Sequence, residues 1–365
     1  MMQYISLAIT ILFFVFPFIG FFRKHRTQTE YQQTHTVAVI AAHNEEQVIA
    51  NVIQDCWQAG FSEVVVIADA CDDATVRIAH NSDCRVIEVN QRSKTKALRE
   101  GIPLAIYGLD NTAVVMFFDA DNRIGADFLT RALPYFQNHD MIQCRVRNLN
   151  VNAWVARMYL IMMGSWARFQ DALTVCHASN ILCGTGWGAR AICLKRWPNE
   201  CSTLTEDLEY TGITRAKIYY ARDVDCWDEK PASFAVSVRQ RTRWVRGAWQ
   251  VIFTRWKDFD PKKVYVMLIP TINTWFVFLF FRSLLLQSMS PSATLAFAWS
   301  LIVSTIINVI YYAILLDARD LARISVWDLL TYTAWTLTNY PIVVWGLLTW
   351  KRGTWYRTPH VGVKT

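Results

Sequence analysis

The sequence predicts an α/β domain built on a mostly parallel sheet and set between apolar segments of membrane length. Three observations carry this. Strand-like and helix-like runs alternate from Val37 to Phe118. Acidic residues close two of the strands, Asp69 one and Asp119-Ala120-Asp121 the other. The hydrophobic residues, 53% of 365, concentrate at positions 4–22 and again after about position 264. Strands alternating with helices imply a parallel sheet covered on both faces, and ligands of such sheets bind at the carboxyl ends of the strands.

Taken in order, residues 4–22 carry no charge and nearly match the roughly 20 residues that span a bilayer. The basic cluster Arg23-Lys24-His25-Arg26 follows this run rather than preceding it. That order favours an uncleaved anchor with a cytoplasmic C-terminal side over a signal peptide. Val37–Ile40, Val64–Ala68, Arg85–Val89 and Ala113–Phe118 read as strands, with helical spacing over Val48–Ala59, Ala74–His80 and Lys94–Ala105. Residues 231–258 are amphipathic, with Trp244, Trp249 and Trp256 interleaved among arginines, a pattern suited to a membrane interface. Apolar segments follow at 264–287, 292–316 and 328–350. Three full crossings would put Lys351-Arg352 outside, against the positive-inside tendency, so the broken 328–350 segment is expected to be re-entrant or interfacial. The expected division is an anchor over 1–30, the α/β domain over 31–230, an interface helix over 231–260 and a C-terminal transmembrane region over 261–365.

The net charge is +7, and the Lys and Arg residues lie beside apolar segments, as cytoplasmic membrane flanks do. No nucleic-acid-binding module is visible. The nine cysteines include no Cys-x-x-Cys pair, which argues against zinc and for reduced thiols in a cytoplasmic domain.

Asp119 and Asp121, two residues apart at a strand end, can chelate one Mg²⁺ or Mn²⁺ together with diphosphate oxygens. Asp69 could cap a helix, but Asp72 and Asp73 fill that role as well, which leaves Asp69 for a ligand. Lys94 opens a helix, where a cation is unfavourable unless an anion is near; a phosphate site and a solvated lysine both fit. Asp207, in Thr205-Glu206-Asp207, suits either a general base or a capping box, and the residues alone do not separate the two. Gln240, Arg243 and Trp244 share one helical side, where an arginine can hold a diphosphate and a tryptophan can stack on a sugar; snorkelling interfacial arginines are the alternative.

From Val37 to Gln250 this ordered series resembles the inverting family-2 glycosyltransferases of the GT-A fold, and more narrowly the membrane-embedded polysaccharide synthases. The resemblance implies a Rossmann-like GT-A domain with transmembrane helices and an interface helix. It also implies a UDP-sugar donor, Mg²⁺ or Mn²⁺, a glycan or lipid acceptor, and a multi-pass protein of the cell (inner) membrane with its catalytic domain in the cytoplasm. By resemblance, Ala42-His43-Asn44-Glu45-Glu46 is the opening nucleotide-binding motif, giving His43 and Glu45 to the nucleotide. Asp69 reads the uracil, and Lys94 lies near the diphosphate. Asp119 and Asp121 are the metal-binding pair, with Asp119 also facing the donor. Gly184, Thr185 and Gly186 form a small-residue loop beside the acceptor, with Glu206 and Trp244 on the same acceptor side. Asp207 is the base, and Gln240, Arg243 and Trp244 match Gln-x-x-Arg-Trp. A homo-oligomer or an export partner is compatible with this reading. Two departures stand: only one N-terminal span is visible, and the membrane part is small for a polymer channel. Ceramide glucosyltransferases share a related series, so transfer of one sugar to a lipid is the alternative.

Overall fold

The computed structural model of the protein describes residues 15–24, 34–195, 202–267 and 305–353. Its first half alternates as the periodicity requires: β1 Thr36–Ala42, α1 Ile49–Gln58, β2 Glu63–Asp69, α2 Thr75–His80, β3 Arg85–Val89, α3 Lys94–Ala105 and β4 Val114–Asp119. Strands β3, β2, β1 and β4 lie side by side and parallel. Their near-continuous Val, Ile, Ala and Phe runs suit strands covered on both faces. Ala38, Ile40, Val64, Val66, Met116 and Phe118 pack with Ile49, Val52 and Ile53 of α1 on one face. Val37, Val39, Val65, Ile67, Val115 and Phe117 pack with Leu98 and Ile102 of α3 on the other.

Beyond β4 the sheet departs from the mostly parallel expectation and becomes mixed. It continues β7 (Trp187–Arg190), β6 (Met141–Asn148), β8 (Ile218–Asp228) and β5 (Arg123–Ile124). β7 pairs antiparallel with both β4 and β6, and β5 antiparallel with β8, while β6 and β8 are parallel. The reversal has a local cause. Trp187, the first residue of β7, pairs with Phe117 near the carboxyl end of β4, so the strand starts beside Asp119 and runs back. This delivers the 183–186 loop to the strand ends. Gly186 turns there with φ +61°, and a Cβ on it would stand 2.7 Å from Cys226 Cβ.

Four elements complete the site's surroundings: α4 Phe128–Ala132, the long α5 Trp154–Val175, the short α6 Ala191–Leu194 and α7 Glu206–Ile213. Then come α8 Phe234–Arg255, α9 Ala318–Leu321, α10 Val326–Leu337 and α11 Asn339–Leu348. The expected interface helix corresponds to α8, but it is not a simple surface helix. Arg241 is buried, lies 4.2 Å over the Trp335 ring and donates to Thr338 Oγ1 at 2.9 Å and Asn339 Oδ1 at 2.7 Å. Trp249 is buried too, while Phe234 and Phe253 on α8 remain exposed.

The apolar segments 4–22, 264–287 and 292–316 lie partly or largely outside the described residues. Among the described residues no helix is long and apolar enough to cross a membrane. The 328–350 segment is two helices of 12 and 10 residues meeting at Thr338. At 1.5 Å per residue these are about 18 and 15 Å long, each short of a ~30 Å hydrocarbon core.

Gly247 fixes how α8 meets the domain. A Cβ there would lie 2.5 Å from Thr205 Cγ2 and 2.9 Å from the Thr205 backbone nitrogen. The bare backbone lets α8 seat against the residue before α7, where Leu204 N–H also donates to Gln250 Oε1 at 2.9 Å. Gly247→Ala is therefore expected to push α8 away from Asp207. We expect a stability loss of about 1–3 kcal/mol, read as a lower unfolding midpoint, with a drop in turnover beyond what the lost folded fraction explains.

Candidate active site

The carboxyl ends of β4 and β8 bring three acids together. One oxygen from each of Asp119, Asp121 and Asp228 lies within 4.8 Å of the others. Asn122 braces the group, donating from Nδ2 to Asp228 Oδ1 at 3.1 Å and accepting the Asp119 backbone N–H on Oδ1 at 3.0 Å. Lys230, buried, bonds the second oxygen of Asp228. Asp228 was absent from the sequence-based set. The signal that marks Asp69 and Asp119, an acid closing a strand, marks Asp228 as well. It is diluted because β8 carries Asp223 and Asp225 too.

Lys94, the first residue of α3, reaches across to this group. Its Nζ bonds Asp119 Oδ1, donates to the Gly184 carbonyl at 3.3 Å and lies 3.6 Å from Glu206 Oε1. Burial alone would lower its pKa, but the Asp119 and Glu206 carboxylates outweigh that and raise it, so it stays charged. Asp207 follows Glu206 in the first turn of α7. Burial first, then the Glu206 charge, push its carboxyl from 3.8 up to about 7, against the pull of Lys94 and Arg243. The capping-box reading of this turn fails: Thr205 is the N-cap residue but makes no side-chain cap bond. Gly184 borders Asp207, since a Cβ on it would lie 3.5 Å from Asp207 Oδ2.

Arg243, on α8, is near enough for its charge to act on both Lys94 and Asp207. Its buried Nε has no hydrogen-bond partner among the described residues. A buried donor left without a partner is costly and suits an acceptor supplied from outside. Lys94 thus connects the two groups: it bonds Asp119 of the acidic cluster, and the Arg243 charge acts on it and on Asp207. Gln240 is half-buried one turn before Trp244 on α8.

Several expected contacts fall elsewhere. Asp69 is not left for a ligand: buried, it accepts the backbone N–H groups of Gln91 and Arg92 on Oδ1 (2.7 and 2.9 Å) and Ser93 on Oδ2 (2.7 Å). Its carboxylate shapes the turn that launches Lys94, and Asp73 instead takes Thr75 N–H at 2.9 Å. His43 Nδ1 donates to the Asp69 carbonyl at 2.5 Å. Glu45 is buried, with its backbone N–H on Thr75 Oγ1 at 2.7 Å. Thr185 is buried rather than open to an acceptor: it bonds Asn122 and accepts the Asp119 N–H at 3.1 Å. Glu206 is likewise buried beside Lys94 and Thr95. Trp244 sets its ring against Tyr159 in an edge contact at 6.0 Å, part of an aromatic cluster with Trp335 and Tyr332.

The donor chemistry fits a divalent ion. Three hard carboxylates converge, and two lysines already neutralise one oxygen on Asp119 and one on Asp228. Asp119, Asp121 and Asp228 are the residues that would hold it.

The chain is 24% identical over 361 residues to a poly-beta-1,6-N-acetyl-D-glucosamine synthase of Staphylococcus epidermidis, covering 89% of this chain and 84% of that protein. It is 25% identical over 236 residues to a beta-monoglucosyldiacylglycerol synthase of Synechocystis sp., covering 60% of this chain and 49% of the other. The fold is similar to the mannosyltransferase PcManGT from Pyrobaculum calidifontis, solved in complex with GDP-Man and Mn²⁺. That likeness has a TM-score of 0.55 at 16% identity and covers 95% of this chain and 98% of that one, a GT-A type architecture. Residues 33–247, more than half of the chain, match the family described as "Glycosyltransferase like family 2". The chain belongs to that family of sugar transferases, which use nucleotide-sugar donors.

Proposed function

We propose that the protein is a metal-dependent inverting glycosyltransferase that uses a UDP-sugar to extend a β-linked polysaccharide at a membrane. The observation that carries this is the placement of Asp207. Burial and the Glu206 charge push its carboxyl up to about 7, and the charges of Lys94, which bonds Asp119, and of Arg243 act on it. A general base works best when its pKa lies near the operating pH. Asp207 takes the proton of the acceptor hydroxyl, whose oxygen attacks the anomeric carbon. The bond from that carbon to the diphosphate oxygen breaks, and UDP leaves with the electron pair. Lys94 and Arg243 meet the charge that develops on it. A single displacement turns an α-linked donor into a β-linked product. A Mg²⁺ or Mn²⁺ on Asp119, Asp121 and Asp228 would add charge compensation for the diphosphate.

The relative from Staphylococcus epidermidis makes UDP-N-acetylglucosamine the first donor to test. Membrane attachment is supported by apolar side chains left exposed on the C-terminal helices: Ile306 and Ile310 in the helical stretch 305–315, Trp327 and Leu330 on α10, and Trp345 and Leu348 on α11. A cytoplasmic catalytic domain accords with the basic flanks. The second reading, transfer of one sugar to a lipid, has support from the Synechocystis relative and from the same apolar surface.

The test is UDP release by the purified full chain from UDP-N-acetylglucosamine, UDP-glucose and UDP-glucuronate with Mn²⁺. Release with a high-mass product supports the synthase. A lipid-extractable single-sugar product supports the alternative, and no release from any donor overturns both. Asp228→Asn should raise the Mn²⁺ concentration for half-maximal activity by about tenfold or more. It should also lower stability, because Lys230 loses its charged partner in a buried site.

A further inference from the structure

A cavity of about 330 Å³ is lined largely by charged residues. None of its lining residues belongs to the candidate active site. Arg145 and Arg147 alternate on β6 to the face opposite Cys144, which faces the core. Arg23, Lys24, Arg222 and Arg319 complete its basic lining, against only two acids, Asp223 and Asp317.

Part of this arrangement is structural. Arg145 pairs with Asp317 and Asp320 at 2.8 and 2.9 Å, and Arg147 with Asp225, Asp317 and Asp320 at 2.8–3.0 Å. These pairs fasten α9 to β6 and are complete in themselves. Arg23 is likewise held by Asp171 at 2.6 Å. The other cations are not needed for that fastening. Arg222 only approaches the already paired Asp171, at 3.4 Å, and Arg319 has a 74% exposed side chain 3.6 Å from Asp225. Lys24 has no ion pair among the described residues.

Six cations line the cavity, and with the ion-pair partners Asp171, Asp225 and Asp320 added to Asp223 and Asp317 the acids number five, so one positive charge is left over. The volume falls at the small end of ligand sites, roughly 300–1,000 Å³. Position adds a second argument. Lys24 follows the apolar run 4–22 and Asp317 follows the run 292–316, so the cavity lies where two such runs end. Phosphate headgroups occupy that level of a bilayer.

We propose that this cavity binds a phosphate-bearing anion, either a phospholipid headgroup or a soluble phosphate ester, independently of the glycosyl-transfer cleft. The inference does not rest on the proposed reaction.

The test is calorimetric titration of the full chain in neutral detergent with inorganic phosphate, glycerol 3-phosphate, dihexanoyl phosphatidic acid and dihexanoyl phosphatidylcholine. We expect binding of at least one of the first three, weakened about tenfold or more in the combined variant Lys24→Glu, Arg222→Glu, Arg319→Glu. Binding should be retained in Arg243→Ala and in the charge-conserving Arg222→Lys. UDP release by the combined variant should match the unmodified protein. Glycerol 3-phosphate binding as tight as phosphatidic acid identifies a soluble ester; binding of phosphatidic acid alone identifies a lipid headgroup. If the combined variant fails to fold, Lys24→Gln with Arg319→Gln, both at exposed side chains, must still weaken binding. No binding by any phosphate probe, unchanged affinity in the charge variants, or loss in Arg243→Ala overturns the proposal.

Discussion

Asp207→Asn should lower turnover by about 10²- to 10⁴-fold while leaving UDP affinity nearly unchanged. The substitution keeps the size of the side chain and removes only its ability to take a proton. Lys94, Asp119 and Arg243, the groups assigned to the nucleotide, stay in place, because no hydrogen bond joins them to the Asp207 carboxylate among the described residues. Measuring kcat and UDP affinity side by side separates this from a general loss of folding. Retained turnover would remove Asp207 from its role.

The acidity of Asp207 adds a signature that a structural carboxylate would not give. With its carboxyl pushed up to about 7, mainly by burial, Asp207 is protonated and inactive as a base below neutrality. Log(kcat/KM) should therefore rise with slope one toward pH 7 and then level off. The stability effect has the opposite sense. Between about 4 and 7 the folded chain holds a proton that the unfolded chain releases, so stability falls as pH rises through that window. Asp207→Asn removes this term. Its unfolding midpoint should exceed that of the unmodified protein at pH 8 and approach it at pH 4.

The parallel half of the fold was readable because its signal is local. The strands β1, β2 and β4 are apolar on both faces, and α1 and α3 show clear helical spacing, so element ends fell within a residue or two. The antiparallel half was not, because β7 is four residues long and β8 interrupts its apolar run with Arg222, Asp223 and Asp225. The same contrast governs the site. Asp119, Lys94 and Asp207 lie at element ends, where position alone suggests chemistry. Asp69 occupies an equivalent position, yet its carboxylate is consumed by three backbone donors from a turn some twenty residues onward. Which acid faces the ligand and which holds the loop depends on the path of the chain between β3 and α3, and no spacing rule encodes that path. Thr185 and Glu206 repeat the lesson: expected beside the acceptor, they are buried supports for Asp119 and Lys94.

Arg243→Ala should cost about 10²- to 10³-fold in turnover and weaken UDP binding, since it removes a preorganised donor aimed at the leaving group. Two features distinguish this from the loss of a surface arginine on an amphipathic helix. First, Arg243→Lys should restore only part of the activity, because an ammonium cannot reproduce the two-pronged grip of a guanidinium on a diphosphate. Second, the Arg243 charge holds the Asp207 pKa down, so its removal should move the acidic limb of the kcat/KM profile to higher pH. Arg246, three residues on, bonds Thr349 Oγ1 at 2.8 Å and faces α11 instead of the cleft. Arg246→Ala should leave the pH profile where it is. A limb that stays fixed in Arg243→Ala, or moves equally in both variants, would mean that Arg243 does not share a cleft with Asp207. The grouping of α8 with the acidic cluster would then fail.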